Sequence, residues 1–245
     1  MSLLSANTLF HFTGKLDNIL GILKNGFHSR YHAEDMSLFR DLNQNIAIPM
    51  VCFCDIPLSS IENHIQKYKG YGIGLTKDWG INNRISPVMY SAQGCQAAEN
   101  LKKSLEYLNK FTSYRTPLPQ EPEIQSAPLF SFGELKKFTY FMKHVNSYDE
   151  REWRFVPQKS EEFDIPFKNI HGKKLNDYIK RLNNDSPFPE FLKFAPKDVK
   201  YIIVKDNDEV NVVINFMKKS RKFDANNRNY LTTKMLTLKD ILQDF

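Results

Sequence analysis

Cysteine is scarce in this chain: Cys52, Cys54 and Cys95 are the whole set in 245 residues. So few thiols, in an odd number, exclude the disulfide framework on which small secreted domains depend, and reduced cysteines are the expectation. Cys52 and Cys54 could open a zinc site. No second cysteine pair follows, however, and His64 is the sole imidazole close downstream, so no metal is expected. Long apolar runs are missing too, since no stretch approaches the roughly 20 residues needed to cross a bilayer. The opening MSLLSANTLF lacks a basic region followed by an apolar run and a small-residue cleavage site. These absences point to a cytoplasmic protein with no membrane partner. Internal repeats and low-complexity tracts are absent as well.

What is present is the composition of a globular protein, 41% hydrophobic and 25% charged, enough for one large core or two small ones. Bases outnumber acids, giving a formal net charge of +6. An excess of that sign suits an acidic partner, of which nucleic acid is the commonest for a basic protein, although a solvated lysine surface gives the same count.

The apolar pattern alternates between strand and helix periods. Thr8 to Phe12 reads as a strand, and Leu16, Ile19, Leu20 and Leu23 then recur at helical spacing until Asn25-Gly26 supplies a stop. Ile46 to Phe53 is a second strand, followed through Asp55-Ile56-Pro57 by a helix carrying Ile61, Ile65 and Tyr68. Residues 70 to 75 form a glycine-bearing strand, Ile85 to Tyr90 another, and residues 95 to 111 an amphipathic helix. A proline-rich loop from Pro117 to Pro128 precedes a helix from Phe132 to Val145 and a strand from Trp153 to Val156. Further on come a helix near Leu175 to Leu182, a strand at Val199 to Lys205 and a helix at Val210 to Lys219. The class is α+β, with residues 1–245 as a single domain whose C-terminal lobe, from about residue 160, continues the same body.

The chemistry concentrates in Tyr148-Asp149-Glu150-Arg151-Glu152-Trp153-Arg154. At the mouth of a strand, Glu150 and Glu152 would share one side and Arg151 and Trp153 the other. Like charges so close resist joint ionisation, which raises one pKa or demands a cationic partner. A solvated acidic edge balanced by Arg151 and Arg154 gives the same pattern. His11, between Phe10 and Phe12, suits either a core position or a site. Tyr71-Gly72 offers an aromatic ring beside a backbone that a ligand could approach, although strand kinks use glycine too.

In order, a strand histidine, a Tyr-Gly-x-Gly strand and a Glu-x-Glu strand resemble the signature of the ADP-ribosyltransferase fold. The opening His11-Phe12-Thr13, Leu16-Asp17-Asn18-Ile19-Leu20 and Asn25-Gly26 look like DarT-type enzymes. Pro49 to Pro57, His64, Tyr71 to Leu75, Pro87 to Tyr90 and Glu150 to Arg154 are similar to the AbiGi family of abortive phage resistance proteins, whose members have been labelled antitoxins.

The resemblance implies a split mixed sheet with flanking helices, of ADP-ribosyltransferase type, holding NAD as co-substrate. His11, with Phe12 and Thr13, would bind the adenosine ribose, Tyr71-Gly72 the nicotinamide, and Glu152 the nicotinamide ribose, with Glu150 assisting the acceptor. Arg30 would meet the pyrophosphate and Arg151 and Arg154 the target phosphate, because guanidinium grips such groups in pairs of hydrogen bonds. The implied function is an NAD-dependent toxin of a phage-defence toxin–antitoxin system, modifying RNA in preference to single-stranded DNA, with a cognate antitoxin protein as partner. Tyr31, Tyr114 and Phe188 are available for base stacking. The competing readings are an inactive antitoxin or nucleic-acid-binding regulator, and a ribonuclease using His11 or His64 with a glutamate.

Overall fold

The pleat of the first strand, β1 (Thr8–Thr13), puts Leu9 and His11 on one face and Phe10 and Phe12 on the other, and both faces bury apolar side chains. The chain then enters α1 (Leu16–Asn25), which buries Ile19, Ile22 and Leu23 and stops at Gly26, whose φ of 89° suits glycine. The computed structural model from which this architecture is read describes residues 7–36, 38, 45–62, 64, 70–113, 133–158, 165–167, 170–185 and 188–244.

After α1 come the short strands β2 (Phe27–His28) and β3 (Arg30–Glu34), then the long β4 (Asn45–Cys54) and β5 (Tyr71–Thr76). Helix α2 (Lys77–Asn82) leads to β6 (Ser86–Pro87), β7 (Met89–Ser91) and α3 (Gln96–Ser113). Beyond the undescribed residues lie β8 (Met142–His144), β9 (Glu152–Phe155), β10 (Ile165–Phe167) and α4 (Gly172–Asp185). The last part holds β11 (Phe191–Leu192), β12 (Val199–Val204), α5 (Asn207–Lys219), α6 (Ala225–Thr232), β13 (Met235–Thr237) and α7 (Leu238–Asp244).

The main sheet runs β13-β12-β5-β1-β4-β9-β6, with β3 and β10 also on β4. It is mixed, because β12 and β13 are parallel whereas β1, β5, β4 and β9 pair antiparallel. The class is therefore α+β, and the late strands β12 and β13 extend the same sheet as β1.

The pairing of β1 with β5 explains the glycines of the Tyr-Gly-x-Gly segment. Phe12 lies opposite Gly72 and Phe10 opposite Gly74. A Cβ on Gly72 would stand 3.0 Å from the Phe12 ring, and one on Gly74 would stand 2.8 Å from the Phe10 ring. These glycines make room for the phenylalanine rings. Between β1 and β4, by contrast, the described residues share the single register pair Phe10↔Cys54. Past it the strands part, bridged by His11 Nδ1 and the Cys52 carbonyl oxygen at 2.9 Å.

The main core fills the Leu9 face of the sheet, where Ile19 and Leu23 of α1 meet Phe53, Ile73 and Trp79, and Val213 and Met217 of α5 complete it. A second cluster joins Ile48, Met50, Tyr140 and Met142.

Three expectations from periodicity are corrected. The helix expected over Phe132 to Val145 covers residues 133–139, after which the chain turns and forms β8. Parallel pairing with β7 and burial of Met142 override local helical preference there. The single strand expected over Ile85 to Tyr90 is divided into β6 and β7, with Val88 donating its N–H to the Glu152 carbonyl oxygen at 2.9 Å. Glu150 stands in a 3₁₀ turn (Val145–Glu150) and not in the strand that begins at Glu152. Pro117 to Pro128, Tyr114, and the stretch of expected helix carrying Ile65 and Tyr68 lie outside the described residues.

A candidate ligand-binding cleft

The two glutamates converge by a different route from strand alternation. Arg151, between them, adopts a left-handed backbone with φ of 40°, so the chain reverses locally instead of pleating. Both carboxylates then meet one lysine: Lys143 Nζ donates to Glu150 Oε2 and to Glu152 Oε2, each at 2.7 Å. Behind them Arg154, which is 0% exposed, donates from Nε to Glu152 Oε1 at 2.9 Å and from Nη2 to Glu34 Oε2 at 2.8 Å. Its Nη1 donates to the Tyr140 carbonyl oxygen. The Tyr90 hydroxyl accepts the backbone N–H of Glu152 at 2.8 Å, so strand β7 also fixes where β9 begins.

This is a network of three carboxylates and two cations, and burial makes its balance decisive. Burial alone would raise the pKa of Glu152, but Arg154 and Lys143 outweigh it and hold the carboxylate at about 2. Glu152 is thus ionised at neutral pH. Burial would lower the pKa of Lys143, yet Glu152 and Glu150 raise it and keep the ammonium charged. Glu34 is displaced upward by burial, against the pull of Arg154. His32 is held down at about 4, chiefly by desolvation, with Glu152 opposing. His11 is lowered by burial against the opposing hydrogen bond to Cys52. Both imidazoles are therefore neutral at pH 7.

Where β1 and β4 part, a cavity of about 580 Å³ opens, within the usual size of small-ligand and cofactor sites. Its wall takes in His11, Phe12 and Thr13 of β1, Asn18 of α1, Arg30 of β3, and the Lys143, Glu150 and Glu152 cluster. Asn18 Nδ2 donates to Thr13 Oγ1 at 2.6 Å, joining the start of α1 to the end of β1. The His11 ring packs edge-on to Phe27 and Phe53, at 5.1 and 5.8 Å between centroids.

Six residues singled out in the sequence, His11, Phe12, Thr13, Arg30, Glu150 and Glu152, therefore share one cavity wall. Four stand elsewhere. The Tyr71 hydroxyl donates to Glu209 Oε1 at 2.7 Å and its ring lies under Lys205, so it belongs to the junction with α5. Gly72 is taken up by Phe12. Arg154 spends its hydrogen bonds on protein acceptors and has no exposed surface with which to meet a target phosphate. Arg151 serves the turn, its carbonyl oxygen accepting the Asp55 N–H at 3.0 Å. Of the aromatics offered for stacking, Tyr31 and Phe188 are buried, each 4% exposed.

Sequence reasoning missed Lys143, Glu34, His32, His28 and Phe191, all on the cavity wall. A signal existed for two of them. Arg30, His32 and Glu34 alternate along β3 and so share a face. Lys143 was hidden inside an expected helix, and Phe191 is brought in from 163 residues beyond His28 by the pairing of β11 with β2. Among the described residues, no group of three or more His, Cys, Asp or Glu side chains is arranged to hold a metal ion. None of the described helices is long and apolar enough to cross a membrane.

Fold and site together define an α+β protein with a cleft, lined by apolar and charged side chains, where its mixed sheet parts. A sequence profile described as "abortive phage resistance protein AbiGi, antitoxin" matches residues 25–205, and the chain belongs to that family. The abortive phage resistance protein AbiGi of Lactococcus lactis subsp. cremoris is 27% identical to it over 251 residues, a match that spans 89% of this chain and 99% of the relative. No solved structure matches the chain.

Proposed function

We propose that the protein acts in abortive phage defence as an antitoxin-type regulator, and that a nucleotide of the NAD class is the ligand of its cleft. The observation that carries the ligand is the cavity wall itself, on which Arg30 stands with Thr13, Asn18 and an ionised Glu152. Guanidinium suits a phosphate, while a carboxylate and neutral polar side chains suit ribose hydroxyls. The family description supports the antitoxin role. So does the state of the carboxylates, both already engaged by Lys143 and Glu152 also by Arg154.

A second reading is an NAD-dependent ADP-ribosyltransferase acting on RNA or single-stranded DNA. It is favoured by His11 and Glu152 meeting in one cavity between parting strands. An ionised carboxylate there would stabilise the oxocarbenium character that develops as the nicotinamide bond breaks. Glu152 would act at the ribose and Glu150 at the acceptor, after Lys143 had released them. Against it stands Tyr71, which is turned to Glu209 and leaves nicotinamide without its proposed ring.

Expression in a bacterial host separates the readings. The regulator leaves growth unaffected when expressed alone and relieves the arrest caused by its partner toxin. Growth arrest by this chain alone, with label passing from NAD to nucleic acid and lost in Glu152→Gln, would establish the transferase and overturn the regulator.

A further inference from the structure

The positive charge of the chain is not spread evenly. Residues 18–25, 191–195 and 210–223 contain Lys24, Lys193, Lys218, Lys219, Arg221 and Lys222 and no aspartate or glutamate. The fold gathers them around the end of α1. Lys222 Nζ donates to the carbonyl oxygens of Leu23 and Lys24 at 2.8 and 2.9 Å, and Lys193 Nζ donates to that of Asn25. Lys218 and Lys219 close α5, which packs on α1, and Arg221 stands between them and Lys222. Every one of the six is exposed.

Helix-end carbonyls attract ammonium groups, which explains the seats of Lys193 and Lys222 but leaves N–H groups over on both. It does not explain Lys218, Lys219 and Arg221, whose side chains make no hydrogen bond or ion pair within the described fold. Burial, and then the nearness of Lys193, lower the pKa of Lys222, so like charges crowd here. Among the described residues none of the six cations has a carboxylate partner. The acids that follow the later two segments, Asp198 and Asp224, accept the backbone N–H groups of Ala195 and Asn227. Crowded cations without counter-charges are the footprint of a polyanionic partner.

The surroundings select the kind of polyanion. Among the described residues, Val212 is the one exposed large apolar side chain of these segments, whereas a protein partner calls for a wider apolar centre. The Phe194 and Phe223 rings lie beneath Lys222, at 6.0 and 5.7 Å from its Nζ, so no open ring awaits the unstacked bases of a single strand. A duplex needs neither, since it carries its phosphates outside at about one charge per 1.7 Å of axis. A face of cations alone suits those phosphates, whereas duplex RNA is recognised through its 2′-hydroxyls as well. We propose that the end of α1, Lys193 and the basic run after Met217 form a docking face for the phosphate backbone of duplex DNA, held without reading its sequence. The inference goes beyond the cleft and does not depend on what the cleft holds.

The test is a fluorescence-anisotropy titration of a short labelled DNA duplex with the full chain at several salt concentrations. Three proteins are compared, each first verified as folded by its thermal transition: wild type, the combined variant Lys218→Gln, Lys219→Gln, Arg221→Gln, and a control, Lys103→Gln, Lys110→Gln, Lys239→Gln, which removes the same charge from exposed positions elsewhere. The logarithm of affinity should fall linearly with the logarithm of salt. The combined variant should flatten that slope by about 2–3 and bind roughly ten-fold or more weakly. The control should bind within about two-fold of wild type, a duplex of scrambled sequence should bind as well as the first, and poly-glutamate at equal charge should not displace the DNA. No binding by wild type at low salt would overturn the proposal. So would a combined variant that binds as wild type does, a control that loses as much, displacement by poly-glutamate, or tighter binding of the single strand or of an RNA duplex.

Discussion

Arg154 is the residue on which the site depends most, and its role is to hold others. Glu152 and Glu34 are both brought under the surface and both are answered by this one guanidinium. Removing one partner of a buried ion network leaves the rest uncompensated, which typically costs about 3–5 kcal/mol. Arg154→Leu should therefore lose stability of that order in a denaturant titration, and a loss below about 1 kcal/mol would show the network to be dispensable. Acid should act on the same group. With its pKa at about 2 in the fold against 4.5 ordinarily, Glu152 contributes stability that is complete above pH 4.5 and lost as pH falls towards 2. By linkage this amounts to roughly 3 kcal/mol. Unfolding free energy measured from pH 7 downward should fall through this window, and a flat profile to pH 3 would contradict the buried network.

At the scale of elements, the strand pair β1 and β5 places His11 and Thr13 by packing phenylalanine rings over glycines. Gly74→Ala sets a methyl group 2.8 Å from the Phe10 ring and from the Thr8 methyl, an overpacking of the kind that costs about 1–3 kcal/mol. A thermal melt should register that loss, and an unchanged transition would mean that Phe10 has room to move. The same pair marks how far elements could be read from sequence. α1, α3 and α5 follow from apolar periodicity, and β1, β4 and β5 from short apolar runs buried on both faces. Strands β2, β8 and β11 do not, being two or three residues long and defined by partners far along the chain. Lys143 rides on such a strand and Phe191 on another, so two walls of the cleft were beyond local pattern. Glu152 was legible as an acid in an otherwise apolar and basic strand. Its counter-charge Lys143 was not, since that ammonium reaches it through folding alone.

For the whole molecule, the consequence of this topology is that distant segments share one cavity. Residues from α1, β1, β3, the turn before β9 and β11 line it, so the beginning, middle and late parts of the chain must all be in place for a ligand to be held. A net charge of +6 adds a general attraction for phosphates, and Arg30, exposed on the cavity wall, brings that attraction to the site. The central claim is that a nucleotide occupies the cleft, and calorimetric titration of NAD into wild type and Arg30→Gln tests it most directly. Saturable binding at one site in wild type, weakened about ten-fold or more in Arg30→Gln as befits a lost charge-assisted hydrogen bond, is the predicted result. No heat of binding in wild type, or an affinity indifferent to Arg30, would contradict it.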